Sequence, residues 1–389
     1  MSVRTPQGLA EGPIYLDYNA TTPVDPAVVE EIVPFLAEHF GNPSSSYEFG
    51  RVAKAALIRA RQQVATLIGA GDGQVVFTGS GSEADALAIR GAVLAGGRAE
   101  GRHVITQATE HPAVLAACAE LRDIHGVEVT VLPVDGAGVL DPDAVEAALT
   151  PATALVTVML ANNETGTLQP VAEIARRAHA RGVPVHCDAA QAVGKIPVDV
   201  SELGVDLLTV VGHKMYAPKG ISALWVGPGT SLRPLVGGGG QESGLRAGTE
   251  NVAYAVGLGA AAELAGAALA RGESQRLAAL RDRLEHALEH GLPGRVSVNG
   301  HVEQRLPNTA NLTIAGVRAL DLLAACPGVA ASAGSACHAG LDSPSPVLTA
   351  MGVPGDRAMS AVRLSVGRWT TEVEVDRAAR LLTSAAVGL

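Results

Sequence analysis

The sequence predicts an α/β protein: a large domain on a mainly parallel sheet, followed by a smaller α+β unit at the C-terminal end. Three observations lead there. Short apolar runs alternate with amphipathic stretches through the first two-thirds of the chain, the pattern of strands buried on both faces between crossover helices. A leucine-spaced segment, Glu273 to His290, then separates that pattern from a second one. The 389 residues are also enough for two cores. The expected division is an N-terminal segment, 1–18, packing with the small domain, a large domain over 19–265, and a small domain over 266–389.

Asp25-Pro26 signals a helix start, an N-cap followed by proline at the first helical position, and Pro34 is expected to interrupt that helix early. Val75 to Thr78 reads as a buried strand. It runs through Thr78-Gly79-Ser80-Gly81-Ser82 into a helix opening with Glu83. Val104 to Thr106, Leu155 to Leu160, Val183 to His186 and Leu207 to Val211 read as further strands, with an amphipathic helix over Pro170 to Arg181 that stops at Gly182. Gly237 to Gly240 marks a mobile loop. Val252 to Ala270 is rich in Ala and Gly and carries Glu263, which suits a buried helix better than a membrane span. In the second unit, Leu277, Leu280, Leu284 and Leu288 fall at helical spacing, and strands are expected near Asn311 to Ile314 and Ala361 to Val366. Thr371 with Glu374 offers a capping box for the last helix.

Composition removes several functional classes. With 29 Lys+Arg against 39 Asp+Glu the formal charge is −10, and only 11 residues are Phe, Trp or Tyr. That balance lacks the basic field and stacking rings of direct nucleic-acid binding. Met1 to Pro6 shows no apolar signal core, so a cytoplasmic protein without membrane attachment is expected. Cys118, Cys187, Cys326 and Cys337 show neither Cys-x-x-Cys spacing nor a secreted framework, and no metal site is expected.

Chemistry concentrates where strands end. Lys214 closes Val211-Gly212-His213-Lys214 directly after an apolar strand. Desolvation there favours the neutral amine, which can condense with an aldehyde, although a surface lysine in a turn fits the same position. The glycine loop at 79–82 would bring free amides and a helix N-terminus together, a favourable place for phosphate, although small residues there also serve tight packing. Asp188 follows the strand Val185-His186-Cys187 and faces the crevice where parallel sheets bind ligands. It suits either capping a turn or pairing with a protonated pyridine nitrogen. Glu110-His111-Pro112 and Asn162-Asn163-Glu164 follow two further strands.

Taken with Tyr15 to Pro23, Gly41-Asn42-Pro43-Ser44-Ser45, Asp188-Ala189-Ala190-Gln191, Arg246 to Glu250, Gly334-Ser335-Ala336-Cys337 and Arg363 to Arg368, these segments resemble the cysteine desulfurase family. These are pyridoxal 5'-phosphate enzymes of fold type I, in a group that also holds selenocysteine lyases. The resemblance implies Lys214 as the Schiff-base lysine and Asp188 as partner of the ring nitrogen. Gln191 and Asn163 would bond the phenolic oxygen, and His111 would stack on the ring and carry protons. It also implies Gly81, Ser82 and His213 at the phosphate, with Thr249 supplied by the other subunit of a homodimer. Arg363 would grip the substrate carboxylate, assisted by Asn42. Cys337 would be the sulfur-accepting thiol, turning L-cysteine into L-alanine and passing a persulfide to an acceptor protein. Such acceptors include iron–sulfur scaffolds, tRNA-thiolation proteins, DNA-modifying pathways and biosynthetic sulfur carriers.

Two departures from the family pattern stand out. Ser82 replaces a threonine, and Val211 occupies a place where many desulfurases have a phosphate-binding serine, so one contact is expected to be missing. Val-Gly-His-Lys, Ala-Cys-His and Pro344 to Leu348 also resemble selenocysteine lyases, which keeps selenocysteine open as a substrate. An ordinary pyridoxal aminotransferase would leave Gly334 to Cys337 unexplained, and a non-catalytic dimeric scaffold would bind no cofactor.

Overall fold

The computed structural model of the protein describes residues 5–96, 102–334 and 343–389. The strands in chain order are β1 (Ile14–Tyr15), β2 (Gln74–Thr78), β3 (His103–Gln107), β4 (Glu128–Leu132), β5 (Thr153–Thr157), β6 (Val185–Asp188), β7 (Leu207–Val211), β8 (Ser222–Val226), β9 (Val296–Val298), β10 (Thr309–Ile314), β11 (Val329–Ala330) and β12 (Ala361–Ser365). Seven of them form one sheet in the order β2-β8-β7-β6-β5-β3-β4. Strand β8 runs antiparallel to both its neighbours, and the other pairings are parallel. The C-terminal ends of β2, β3, β5, β6 and β7 and the start of β8 therefore share one edge.

The helices Gly81–Leu94 and Pro112–His125 cover one face of this sheet through Leu87, Ile89, Val114 and Leu121. The other face packs against Val171–Ala180, Glu48–Leu67 and Val252–Ala270. The last of these is long and apolar enough to cross a membrane, yet most of it lies inside the protein. Its glycines explain why: a Cβ on Gly259 would stand 2.7 Å from the Ala60 Cα, so only glycine lets the two helices approach this closely.

The second core joins Ile14 and Leu16 to Leu277, Leu280, Leu284 and Leu288, and to Leu312, Val362 and Leu364 of an antiparallel sheet ordered β12-β10-β9. Strand β1 pairs in parallel with β11, Ile14 opposite Val329. Residue 265 falls inside the helix Val252–Ala270; the chain crosses between cores just after it, where Gly272 takes φ 85°.

Several elements differ from the sequence reading for identifiable reasons. The helix Pro26–Ala37 runs through Pro34, where the ring forgoes only its own N–H bond, and ends as the amides of Glu38 and His39 both donate to the Pro34 carbonyl. Strand β5 stops at Thr157 because the Glu110 carboxylate captures the Met159 amide at 2.6 Å. Strand β6 starts at Val185, since Pro184 has no N–H and the Val183 amide closes the preceding helix on Ala178. The helix after the glycine loop begins at Gly81 rather than Glu83, with Ser80 as its cap. Strands β4 and β8 lie outside the five apolar runs.

Candidate active site

The polar edge of the large sheet encloses a cavity of about 430 Å³, inside the roughly 300–1,000 Å³ range of small-molecule sites. Lys214 enters it from a single 3-10 turn, Gly212–Lys214, that follows β7. The next turn is held in an uncommon conformation: Tyr216 has φ 69°, and its amide donates to Thr22 Oγ1 at 2.8 Å. The Arg368 guanidinium lies 4.1 Å from the Tyr216 ring centroid, and the Arg368 amide donates to its hydroxyl at 2.7 Å. Lys214 Nζ donates to the carbonyls of Asn19 and Ala20 at 2.6 and 2.9 Å. The N-terminal segment thus reaches across the sheet edge to hold the amine.

Three carboxyl groups lie beneath. Asp188 ends β6 and accepts the Ala190 amide at 2.9 Å. Burial raises its pKa, while His111 and Lys214 pull it back toward the ionised form. Glu110 is pushed up to about 8 by burial and by the Asp188 charge. Asp85 is raised by the same two causes. Asp188, the one facing His111 and Lys214, is thereby favoured to carry the negative charge. His111 accepts the Ala113 amide at Nδ1, 3.2 Å, which leaves the proton of the neutral ring on Nε2, and burial lowers its pKa. His213 is lowered to about 4 by burial and by Lys214, with Nδ1 3.1 Å from Thr21 Oγ1.

A second lysine completes the floor. Lys195 is 6 % exposed, and its Nζ donates to Gln191 Oε1 at 2.6 Å and Asn19 Oδ1 at 3.0 Å. Gln191 Nε2 donates to the Asn19 carbonyl at 3.1 Å. Lys195 thus takes the carbonyl end of the Gln191 amide and turns its donor end toward the cavity. Arg363 on β12 is 1 % exposed, with Nη2 2.7 Å from Asp17 Oδ1 and Nη1 3.0 Å from the Asn163 carbonyl; its Nε has no partner.

Lys214, His111, Gly81, Ser82, Asn163, Asp188, Gln191, His213 and Arg363 all line the cavity. Asn42 and Thr249 do not: both are exposed, and Asn42 spends its side-chain oxygen on the Ser44 amide at 2.9 Å. Cys337 lies outside the described residues. Cys118, Cys187 and Cys326 are buried, and burial pushes each thiol up, Cys118 to about 12, so none of them is poised as a thiolate. The sequence reading quoted Asn19 and Glu110 within its segments without giving either a role, and it missed Asp85, Lys195 and Ser222. For Lys195 a signal existed, since it stands in Ala-Val-Gly-Lys-Ile much as Lys214 follows its apolar strand.

The residues fit pyridoxal phosphate. The Lys214 amine and the buried Asp188 carboxylate line the same cavity, and a glycine loop opens a helix beside them. Buried Asp85 Oδ1 and Ser222 Oγ, both on cavity-lining residues, lack any hydrogen-bond partner.

Comparison with known proteins agrees. The family model for aminotransferase class V matches residues 14–378. The chain is 50 % identical over 368 residues to a cysteine desulfurase of Trichormus azollae, covering 94 % of this chain and 90 % of that protein. It is 48 % identical over 373 residues to the cysteine desulfurase IscS of Anaeromyxobacter dehalogenans, covering 95 % and 91 %. A solved NifS-like protein superposes with TM-score 0.89 at 33 % identity, covering 97 % of this chain and all of that one. The sheet edge, its lysine and these relatives together place the chain in the cysteine desulfurase family, among the pyridoxal-phosphate enzymes of aminotransferase class V.

Proposed function

We propose that this cysteine desulfurase works as a homodimer in the cytoplasm, converting L-cysteine to L-alanine and holding the sulfur as a persulfide on Cys337 for an acceptor protein. The observation that carries the reading is the convergence of Lys214, Asp188, His111, Gln191 and Arg363 on one cavity in a chain of this family. Pyridoxal phosphate, when bound, supplies an electron sink for the carbanion at the substrate Cα. Asp188 holds the negative charge beneath the ring, and Gln191 and Asn163 orient it. Arg363, which lines the cavity, would bind the substrate carboxylate.

The Lys214 amine would take the Cα proton, and neutral His111 would carry protons at Nε2. The Cys337 thiolate attacks the substrate sulfur: an S–S bond forms, the C–S bond breaks, and the carbon left behind takes a proton to become alanine. The selenocysteine reading uses the same described residues, and the relatives at half identity favour cysteine.

Second-copy contributions are supported by exposure. Thr249 and Asn42 sit on the surface, and Asn42 is flanked by Phe40, Tyr47 and Phe49, which are 71 %, 59 % and 57 % exposed. Phe40 and Phe49 stack at 5.3 Å between centroids, an apolar patch of the kind an interface covers.

The deciding experiment feeds L-cysteine to the wild-type protein and to Cys337→Ser and follows alanine, sulfide and protein-bound persulfide. The variant is expected to keep the cofactor's visible colour and form no persulfide. A variant that still releases sulfur at the wild-type rate would sink the assignment. Trapping the wild-type persulfide and finding which copurifying protein takes the sulfur identifies the acceptor.

A further inference from the structure

Ser222 opens β8, is 1 % exposed, lines the cavity, and has a hydroxyl with no hydrogen-bond partner. A buried hydroxyl left unpaired costs free energy, so a group that arrives to accept its proton gains by doing so. The sheet register places it closely. Ser222 pairs with Val211 on one side and with Thr78, the residue that enters the glycine loop, on the other. Directly paired residues share a face, and along β8 Leu224 and Val226 share it too; both pack with Leu87 and Ala88 of the helix Gly81–Leu94. Ser222 therefore lies on the helix-covered side, at the end where that helix begins.

That end is built for an anion. The amides of Gly81 and Ser82 stand at the first helical positions, where no carbonyl lies a turn back to receive them. The Glu83 amide is already taken by the Ser80 side chain at 3.1 Å, and the Gly79 amide by the Glu83 carboxylate at 2.8 Å. A Cβ on Gly81 would come within 2.6 Å of Val211 Cγ2, so the loop lies directly on β7 and Val211 fills that contact with methyl groups.

We propose that Ser222 is a ligand of the cofactor's phosphate, donating from β8 the hydroxyl hydrogen bond that Val211 cannot donate from β7. This rests on reading the cavity as the pyridoxal-phosphate site. The phosphate would then be met by the helix amides on one side and by the Ser222 hydroxyl on the sheet side.

The test compares two aldehydes that differ only in the phosphate. Purified full-length protein is stripped of cofactor and titrated with pyridoxal 5'-phosphate or with pyridoxal, followed by visible absorbance. In Ser222→Ala the apparent Kd for pyridoxal 5'-phosphate is expected to rise roughly tenfold, the scale of a hydrogen bond to a charged group, while that for pyridoxal stays unchanged. Adding Val211→Ser to Ser222→Ala is expected to recover most of the loss, because the hydroxyl returns one strand away. Equal weakening of both aldehydes, or no weakening of either, overturns the proposal and leaves the cavity assignment standing. If wild-type protein binds neither aldehyde, the cavity assignment itself falls.

Discussion

Two lysines a short distance apart in sequence, Lys214 after β7 and Lys195 after β6, occupy the same neighbourhood and do opposite things. Lys214 is half-buried and rests on two main-chain carbonyls, Asn19 and Ala20, that it can leave without stranding a side chain. Lys195 is buried and locked between two side-chain carbonyls, and burial, then Lys214 and Arg363, depress its pKa well below the ordinary lysine value. Reactivity thus follows from what an amine is bonded to and what it faces, more than from burial alone. An amine bonded to backbone at the rim of a cavity can exchange partners. An amine that fixes Gln191 and Asn19 positions other groups.

Four changes separate these roles, and a fifth serves as a control. The largest effect is expected from Lys214→Ala, which should abolish covalent cofactor attachment and cut turnover by on the order of 10³-fold or more, read by visible absorbance and alanine formation. A Lys214→Ala protein with wild-type turnover would mean that the other lysine, or none, does the work. Asp188→Asn keeps the shape and removes the charge, and a fall in kcat on the order of 10²-fold is expected with attachment retained.

Lys195→Met should leave attachment intact and lower kcat/KM roughly tenfold, about 1.4 kcal/mol, by freeing the Gln191 amide to turn. If Lys195 acts through Gln191, the same change in a Gln191→Leu background has almost no further effect, including on the pH midpoint of the cofactor's absorbance. Fully additive losses would make Lys195 an independent structural residue.

Glu110 tests the carboxyl floor beneath both lysines. Its folded pKa is raised from 4.5 to about 8, so between those values the folded protein holds a proton that the unfolded chain has released. Its contribution to stability therefore falls as pH rises through that window. Glu110→Gln mimics the protonated form, and denaturant midpoints of cofactor-free protein should decline less between pH 5 and pH 8 than in wild type. The smallest effect, about 1 kcal/mol, is expected from Thr371→Ala, which removes the capping box of the last helix at a residue that does not line the cavity. It should shift the denaturation midpoint and leave the cofactor absorbance untouched.

Much of the site was legible because strand ends announce themselves: apolar runs giving way to polar residues within a few positions put Lys214, Asp188, His111 and Asn163 on one edge. Alternation along β6 turns Cys187 to the face opposite its neighbour Asp188, and it lies in the core. What escaped was of two kinds. Asp85 drew no notice and Glu110 was given no role, because only the folded packing brings their carboxyl groups against Asp188. Ser222 looked like one more small residue between Ile221 and Ala223, because β8 is the strand that runs against the others and its start, rather than its end, meets the cavity.

By itself the sequence determined the two-unit α/β architecture, the strand-end placement of Lys214, and the family, because periodicity and motif order are local. The tertiary structure alone decided which carboxyls are buried against one another, which lysine rests on main-chain carbonyls, and which hydroxyl is left without a partner. Those properties depend on desolvation and on neighbours hundreds of residues apart in the chain, such as Asn19 against Lys195 and Arg363 against Asp17.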